Sequence, residues 1–304
     1  MIARLDHLRI QPTAFRHLTG LTVALFDRLA ADLTPAFAAA HRASLERPTR
    51  QRAIGGGDTF DLGPADQLLA TVVWLRHYPT EEVLGFLFGV SDSTARRAVR
   101  RCLPILEAAG QDTMRMPDPG KGRRKGLPRL LADTPGLAVV IDTFEQRVQR
   151  PRRRQRAYYS GKKKAHTLKS QVTVDEDGAV VDVGESRPGR WADLKVLQRS
   201  GLRRKLPKGV GALADLAYVG MAELHPEGLG ATPRRKPRGK PRPPEDRRYN
   251  RAFSRRRIVV EHAIGRLRRY QAVTQPDRHH RRLHTARARA AAGLVNRTLD
   301  HRAA

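Results

Sequence analysis

Three acids of this chain stand where a shared site could be built. Asp142 closes the apolar run Leu137-Ala138-Val139-Val140-Ile141, and Asp215 closes a second apolar run from Val210 to Ala214. Runs of this length read as buried strands, and ligand sites of open α/β sheets lie at the carboxyl ends of strands. One such Asp is ordinarily a cap or a turn. A buried acid is costly unless solvated, paired or bound to metal, so two on separate strands point to a shared site. The third acid, Glu261, lies in RRRIVVEHAIGRLRRY. On a helical projection with Arg257 at zero, Glu261 falls at about 40° and Arg268 at about 20°, beside an apolar arc from about 200° to 340°. Its ordinary role would be an i−4 pair with Arg257. A helix packed on the sheet would instead aim Glu261 toward the edge where Asp142 and Asp215 emerge. Three hard oxygen ligands without a Cys or His cluster suit Mg²⁺ or Mn²⁺.

Basic residues form a second constellation. In TEEVLGFLFGVSDSTARRAVRRCLPIL, Thr80 can cap a short helix with Glu81 and Glu82 in its first turn, and Gly89-Val90-Ser91 supplies a tight turn. A second helix from about Asp92 collects Ala95, Ala98, Val99, Cys102 and Leu103 on one side. Ser93, Arg96, Arg97, Arg100 and Arg101 are left outward. This is the helix-turn-helix pattern; it also fits an αα-hairpin with a solvated basic face, and the charge of the whole chain favours DNA. Further on, Lys162, Lys163 and Lys164 follow Tyr158 and Tyr159, a basic, aromatic-interleaved contact for a nucleic-acid backbone. His280 and His284 are spaced i, i+4 but lack a third zinc ligand, so a solvated basic helix is expected there. His262 is expected to pack or hydrogen-bond, and Asp193 and Glu145 to play auxiliary roles.

The elements that must position these residues follow from periodicity. Residues 13–45 read as helical, with Thr22 as a cap, and a Gly-rich break runs from Arg47 to Gly63. Pro64 opens a helix that Tyr78-Pro79 stops. The chain divides into an N-terminal helical segment (1–63), a helix-turn-helix region (64–109), a basic linker rich in Pro and Gly (110–136) and an α/β unit (137–304). In that unit the runs either side of Asp177-Gly178 form a hairpin. Trp191 to Leu202 reads as a short helix and Ser254 to Tyr270 as a capped one. The fold class is α/β, with a mixed sheet and flanking helices, preceded by an all-α region.

Composition narrows the partners. The chain has 59 Lys+Arg against 30 Asp+Glu, a net charge of +29 in 304 residues, which calls for a polyanion. Hydrophobic residues make up 39%, enough for a packed core. A single cysteine, Cys102, excludes an internal disulfide framework and multi-cysteine zinc ribbons. No apolar run approaches the ~20 residues of a spanning helix, and the charged N-terminus does not read as a signal peptide.

Three stretches together carry a resemblance: RPRRRQRAYYSGKKKAHTLKSQVTVD, ADLAYVG and YNRAFSRRRIVVEHAIGRLRRY. With the helix-turn-helix segment ahead of them, they resemble the DDE transposases of bacterial insertion sequences of the IS-five type, related to the Harbinger group. The resemblance runs from about Leu18 to Asn296. It implies an RNase H-like catalytic domain with Asp142, Asp215 and Glu261 as the Asp-Asp-Glu set, holding two Mg²⁺ (or Mn²⁺) ions for strand cleavage and strand transfer. Arg257, Arg268 and Lys162 to Lys164 would hold phosphates, and the N-terminal helices would bind element ends. The implied protein works on element ends and target DNA as a homo-oligomer, away from membranes, in the bacterial cytoplasm and at the nucleoid.

The sequence departs from the family's pattern in places. Asp142-Thr143-Phe144-Glu145 stands for Asp-Gly-Thr-Glu, setting an aromatic side chain near the proposed centre. Ala192 replaces the usual His before Asp193. Ser254, Arg257, Glu261 and Arg268 stand for Tyr-x2-Arg-x3-Glu-x6-Lys. None removes a proposed metal ligand. The alternative readings are a catalytically inactive, transposase-derived DNA-binding regulator and a basic RNA-associated structural protein.

Overall fold

The computed structural model describes residues 3–46, 51, 61–120 and 127–303. Most of the expected Gly-rich break at 47–63 and part of the linker lie outside the described residues.

The N-terminal half is helical: α1 (Leu5–Arg9), α2 (Pro12–Thr19), α3 (Val23–Leu45), α4 (Pro64–His77), α5 (Glu81–Phe88) and α6 (Asp92–Gln111). Side-chain caps set several starts. Thr22 accepts from the Leu25 amide, Thr80 from Val83 and Ser91 from Thr94, each satisfying an amide that the first turn leaves unpaired. Gly89 ends α5 at φ 64, a left-handed conformation that a glycine adopts without a Cβ penalty. A Cβ on Gly85 would lie 2.6 Å from the Val90 carbonyl oxygen, so this glycine lets the turn fold back on α5.

Among the described residues, the second half adds seven strands: β1 (Ala138–Arg147), β2 (Tyr159–Ser160), β3 (Ala165–Val174), β4 (Val180–Val183), β5 (Arg187–Pro188), β6 (Gly211–Leu213) and β7 (Gly230–Ala231). Interspersed are α7 (Gln155–Tyr158), α8 (Asp193–Arg199), α9 (Met221–Leu224), α10 (Pro244–Leu267) and α11 (His284–Ala303). The sheet runs β2-β3-β1-β6-β7, with β4 and β5 also pairing β3. β1 is antiparallel to β3 and parallel to β6, making the sheet mixed. The expected hairpin forms between β3 and β4, with Gly178 at φ 86. This is the helix-turn-helix region followed by an RNase H-like sheet and its flanking helices.

Side chains alternate between sheet faces, and β1 divides its contacts accordingly. Ala138, Val140 and Phe144 join the large core that includes α3 to α6, α10 and α11. Val139 and Ile141 join the smaller core with Leu197 of α8, Tyr218 and Met221.

The structure corrects several sequence expectations about the elements. Asp142 does not end its strand: β1 continues to Arg147 because its antiparallel pairing with β3 outlasts its parallel pairing with β6, which stops at Val140. The helix expected from Ser254 starts at Pro244, since proline suits the first turn, Glu245 and Asp246 are favourable there, and Tyr249 and Phe253 extend the buried stripe. The helix starting at His284 is core rather than solvated, with Ala288, Ala290 to Ala292 and Leu294 buried. Arg101 turns inward, its Nη1 donating to Gln67 Oε1 at 2.6 Å.

No described helix is long and apolar enough to cross a membrane.

Candidate active site and nucleic-acid interface

β1 and β6 run parallel and bring Asp142 and Asp215 close enough for each to feel the other's charge. Asp142 lies two residues beyond the last pair in that ladder, on the face that α10 covers. Its Oδ1 accepts from the Thr143 amide at 2.7 Å, and its Oδ2 faces Arg257 Nη2 of α10 at 3.7 Å. Asp215 caps a short 3₁₀ turn, its Oδ1 accepting from the Ala217 amide at 2.9 Å. Burial raises the Asp142 carboxyl above its ordinary range; the Thr143 amide lowers it, Asp215 raises it, Arg257 lowers it and Asp193 raises it.

Asp193 is a member that the sequence rated only as auxiliary. It heads α8 and accepts from Thr143 Oγ1 at 2.9 Å and from Lys169 Nζ at 2.7 Å. Lys169 is buried, and its Nζ also lies 3.6 Å from Glu145, which faces it across the β1–β3 ladder. The second Glu145 oxygen accepts from Thr167. A charged residue inside an otherwise buried strand was the available signal for this group. Tyr218 lies among the same acids: burial pushes its phenol well up, and Asp193, Asp142 and Asp215 push the same way.

The other site candidates are spread more widely. Glu261 lies one turn after Arg257 on α10 and is exposed, as is Arg268 just past the helix end. Among the described residues, no three His, Cys, Asp or Glu side chains converge closely enough to hold a metal ion. The donor chemistry nevertheless suits a hard cation. Asp142 and Asp215 are carboxylates that repel each other where solvation is poor, and nearby divalent charge would relieve that repulsion. Phe144 is buried with its ring centroid 6.4 Å from that of His284. His284 is itself buried, its Nδ1 2.6 Å from Ser186 Oγ. His262, expected to pack or hydrogen-bond, is exposed.

On α6, Arg96, Arg97 and Arg100 are exposed on one face. Arg96 Nε lies 3.9 Å from Glu81, and Ser93 is half-buried with its hydroxyl 3.0 Å from that of Ser91. Lys162, Lys163 and Lys164 are exposed in the turn between β2 and β3. Beside them Arg281 stacks on Tyr158, 4.5 Å from the ring centroid.

A sheet with one aspartate on a strand and another just past the end of its parallel neighbour, preceded by a helix-turn-helix, fits a class of nucleic-acid-processing enzyme, and sequence comparison assigns the family within it. The DDE superfamily endonuclease model matches residues 141–296, and the helix-turn-helix of DDE superfamily endonuclease matches residues 60–112. The chain belongs to the DDE superfamily endonucleases. It is 31% identical over 232 residues to a probable transposase for insertion sequence element IS702 of Microchaete diplosiphon, covering 76% of this chain and 79% of that one. Against HARBI1 of Rattus norvegicus it is 28% identical over 232 residues, covering 74% of this chain and 61% of that protein. The human HARBI1 is 26% identical over 222 residues, covering 72% and 59%. The chain therefore spans about three fifths of HARBI1's own length. No solved structure matches it.

Proposed function

We propose that this chain is an insertion-sequence transposase that binds element ends through residues 64–109 and cuts and joins DNA through residues 137–304. The observation that carries the reading is the Asp142–Asp215 pair, Asp142 on β1 and Asp215 two residues past the end of the parallel neighbour β6, within electrostatic reach of each other. Asp142 and Asp215 would hold Mg²⁺ or Mn²⁺, with Glu261, exposed on α10 in this structure, as the third ligand that the family resemblance implies, two ions in the full arrangement. Bound there, the metal supplies Lewis-acid stabilisation of charge on the attacking and leaving oxygens.

The remaining contributions come from the chain itself. Arg257 holds the Asp142 carboxylate in place, while Thr143 and Lys169 fix Asp193 beside it. Arg257, Arg268 and Lys162 to Lys164 would meet phosphates, which would keep the scissile strand in register with the carboxylates. Arg96, Arg97, Arg100 and Ser93 would read or grip the element end. The protein would act on DNA as a homo-oligomer in the bacterial cytoplasm, concentrated at the nucleoid by its charge.

The test is Asp215→Asn. The amide keeps the shape and removes a charged ligand oxygen, so Mg²⁺-dependent cleavage of end DNA should be lost while end binding persists. Asp142→Asn and Glu261→Gln should behave alike, and combining them should add little, because ligands acting as a unit are not additive. Cleavage by the variant at the wild-type rate would remove the assignment. A second reading, a DNA-binding regulator without catalysis, draws support from the absence of three converging acids among the described residues. Sequence-specific end binding by the wild-type chain with no cleavage in Mg²⁺ or Mn²⁺ would select it.

A further inference from the structure

A cleft of about 620 Å³ opens where the N-terminal helices meet the end of α10 and α11. Arg16 and His17 of α2, Arg76 of α4, and Arg266 and Arg269 at the end of α10 converge on it, and no Asp or Glu lines it. None of its lining residues belongs to the proposed Asp142 centre or to the exposed arginine face of α6. On the projection of α10, Arg266 points about 140° away from Glu261, and Arg269 follows the helix end at Leu267.

The shape and charge of the cleft suit phosphate. Tyr270 forms part of its wall, with the Arg76 guanidinium 5.4 Å from the ring centroid. Burial pushes the Tyr270 phenol up to about 12, so it stays a neutral donor at working pH. Gly20 keeps the wall bare: it sits at φ 80, and a Cβ there would come 3.4 Å from the Arg76 guanidinium and 3.5 Å from the Tyr270 hydroxyl. Arg266 is committed to the Gly178 carbonyl at 2.7 Å and shapes the wall. Among the described residues, no carboxylate pairs with Arg16, Arg76 or Arg269. Elsewhere at the surface such pairs do form, as in Arg9–Asp27 and Arg297–Asp32. Unpaired guanidinium forks held in a concave site are preorganised for phosphate oxygens.

We propose that this cleft is a second, sequence-independent DNA site that seats a stretch of phosphodiester backbone on the opposite flank of α10 from Glu261. The assignment rests on the DNA-acting reading above. The net charge of +29 and a volume larger than a single phosphate needs favour a backbone segment over a free small anion. The site would grip DNA beyond the segment engaged by α6 and hold the duplex against both halves of the molecule.

The experiment measures full-length protein binding an unrelated-sequence duplex by anisotropy between about 50 and 200 mM salt. Arg16 and Arg269 are exposed, so the double variant Arg16→Gln, Arg269→Gln removes charge without opening the core. The slope of log affinity against log salt should flatten by about 0.9 for each phosphate that the variant no longer neutralises. A photo-crosslinking residue at His17 should also join to DNA in otherwise unmodified protein, a readout independent of variant stability. Wild-type DNA binding with an unchanged slope in the double variant and no crosslink would overturn the cleft alone. Absence of any wild-type DNA affinity would overturn the cleft together with the functional reading. Thermal stabilisation by pyrophosphate that the double variant abolishes, with an unchanged DNA slope, would assign the cleft to a small anion and overturn the DNA site.

Discussion

His284 gives the residue scale a measurable pH signature. It is buried against Ser186 and Ser170, with Phe144 on one side and Arg287 and Asp277 nearby. Burial, then the Arg287 charge, lowers its pKa from 6.5 to about 3, while Asp277 acts the other way. Between those values the unfolded chain binds the proton and the folded chain does not, so stability rises with pH across that window and is lost as pH falls. Asp277 adds to the same acid sensitivity. The buried Arg287 holds its carboxyl below the ordinary range against the effect of burial, and that contribution disappears as the acid protonates. We expect His284→Gln to flatten the decline in Tm between about pH 6.5 and 4, with the residual slope left to carboxylates. Parallel melting curves for wild type and variant would place the acid sensitivity elsewhere.

At the scale of elements, α6 has two tasks. Its N-terminal half presents Arg96, Arg97 and Arg100 to solvent, and its C-terminal half packs on α11. Replacing Arg96 and Arg97 with Ala should weaken specific end binding by about 1 to 3 kcal/mol for each base-reading contact, and by less if they touch only phosphate. Competition assays against unrelated duplex measure the difference, and an undiminished preference for end DNA would move recognition to another element. The packing end depends on two glycines: a Cβ on Gly293 would lie 2.3 Å from the Gly110 Cα. No rotamer change relieves a clash with backbone, so Gly293→Ala should force the helices apart and cost about 1 to 3 kcal/mol. Chemical denaturation reads that loss; unchanged stability would mean that the crossing adjusts freely.

Across the whole molecule, the helix-turn-helix and the sheet are joined by a common core, which includes residues from α4 to α6, β1, β3, β4, α10 and α11. Gly110 and Gln111, expected to begin a linker, complete α6 instead. A buried polar cluster reinforces the junction: Tyr78, at the end of α4, receives Arg287 Nη1 at 2.8 Å and donates to Asp277 at 3.1 Å. His279 meets Glu81 of α5 at 3.0 Å. On the proposed reading, DNA held by α6 would keep a fixed orientation to the carboxylates, while the scattered charge would supply affinity without sequence. Neutralising Lys162, Lys163 and Lys164 should lower affinity for every duplex and reduce its salt dependence, because released counterions carry no sequence information. A loss confined to one sequence would show that this turn reads bases.

Local signals in the chain determined the local structure. Apolar runs marked β1 and β6, Asp177-Gly178 marked the hairpin, Thr22 and Thr80 marked caps, and the spacing around Gly89 marked the helix-turn-helix. These features depend on neighbours within a few residues, which periodicity and turn chemistry encode directly. The family was legible for the same reason, through contiguous motifs. Tertiary structure alone decided that Arg257 faces Asp142, that Lys169 and Thr143 fix Asp193, and that His284 is buried. It also decided that Gly110 meets Gly293 and that arginines from α2 and α4 converge with those at the end of α10 on one cleft. Each of these contacts joins residues far apart in sequence, and its existence depends on which faces the packing of the common core leaves free. A residue's own neighbours in the chain carry no record of that choice.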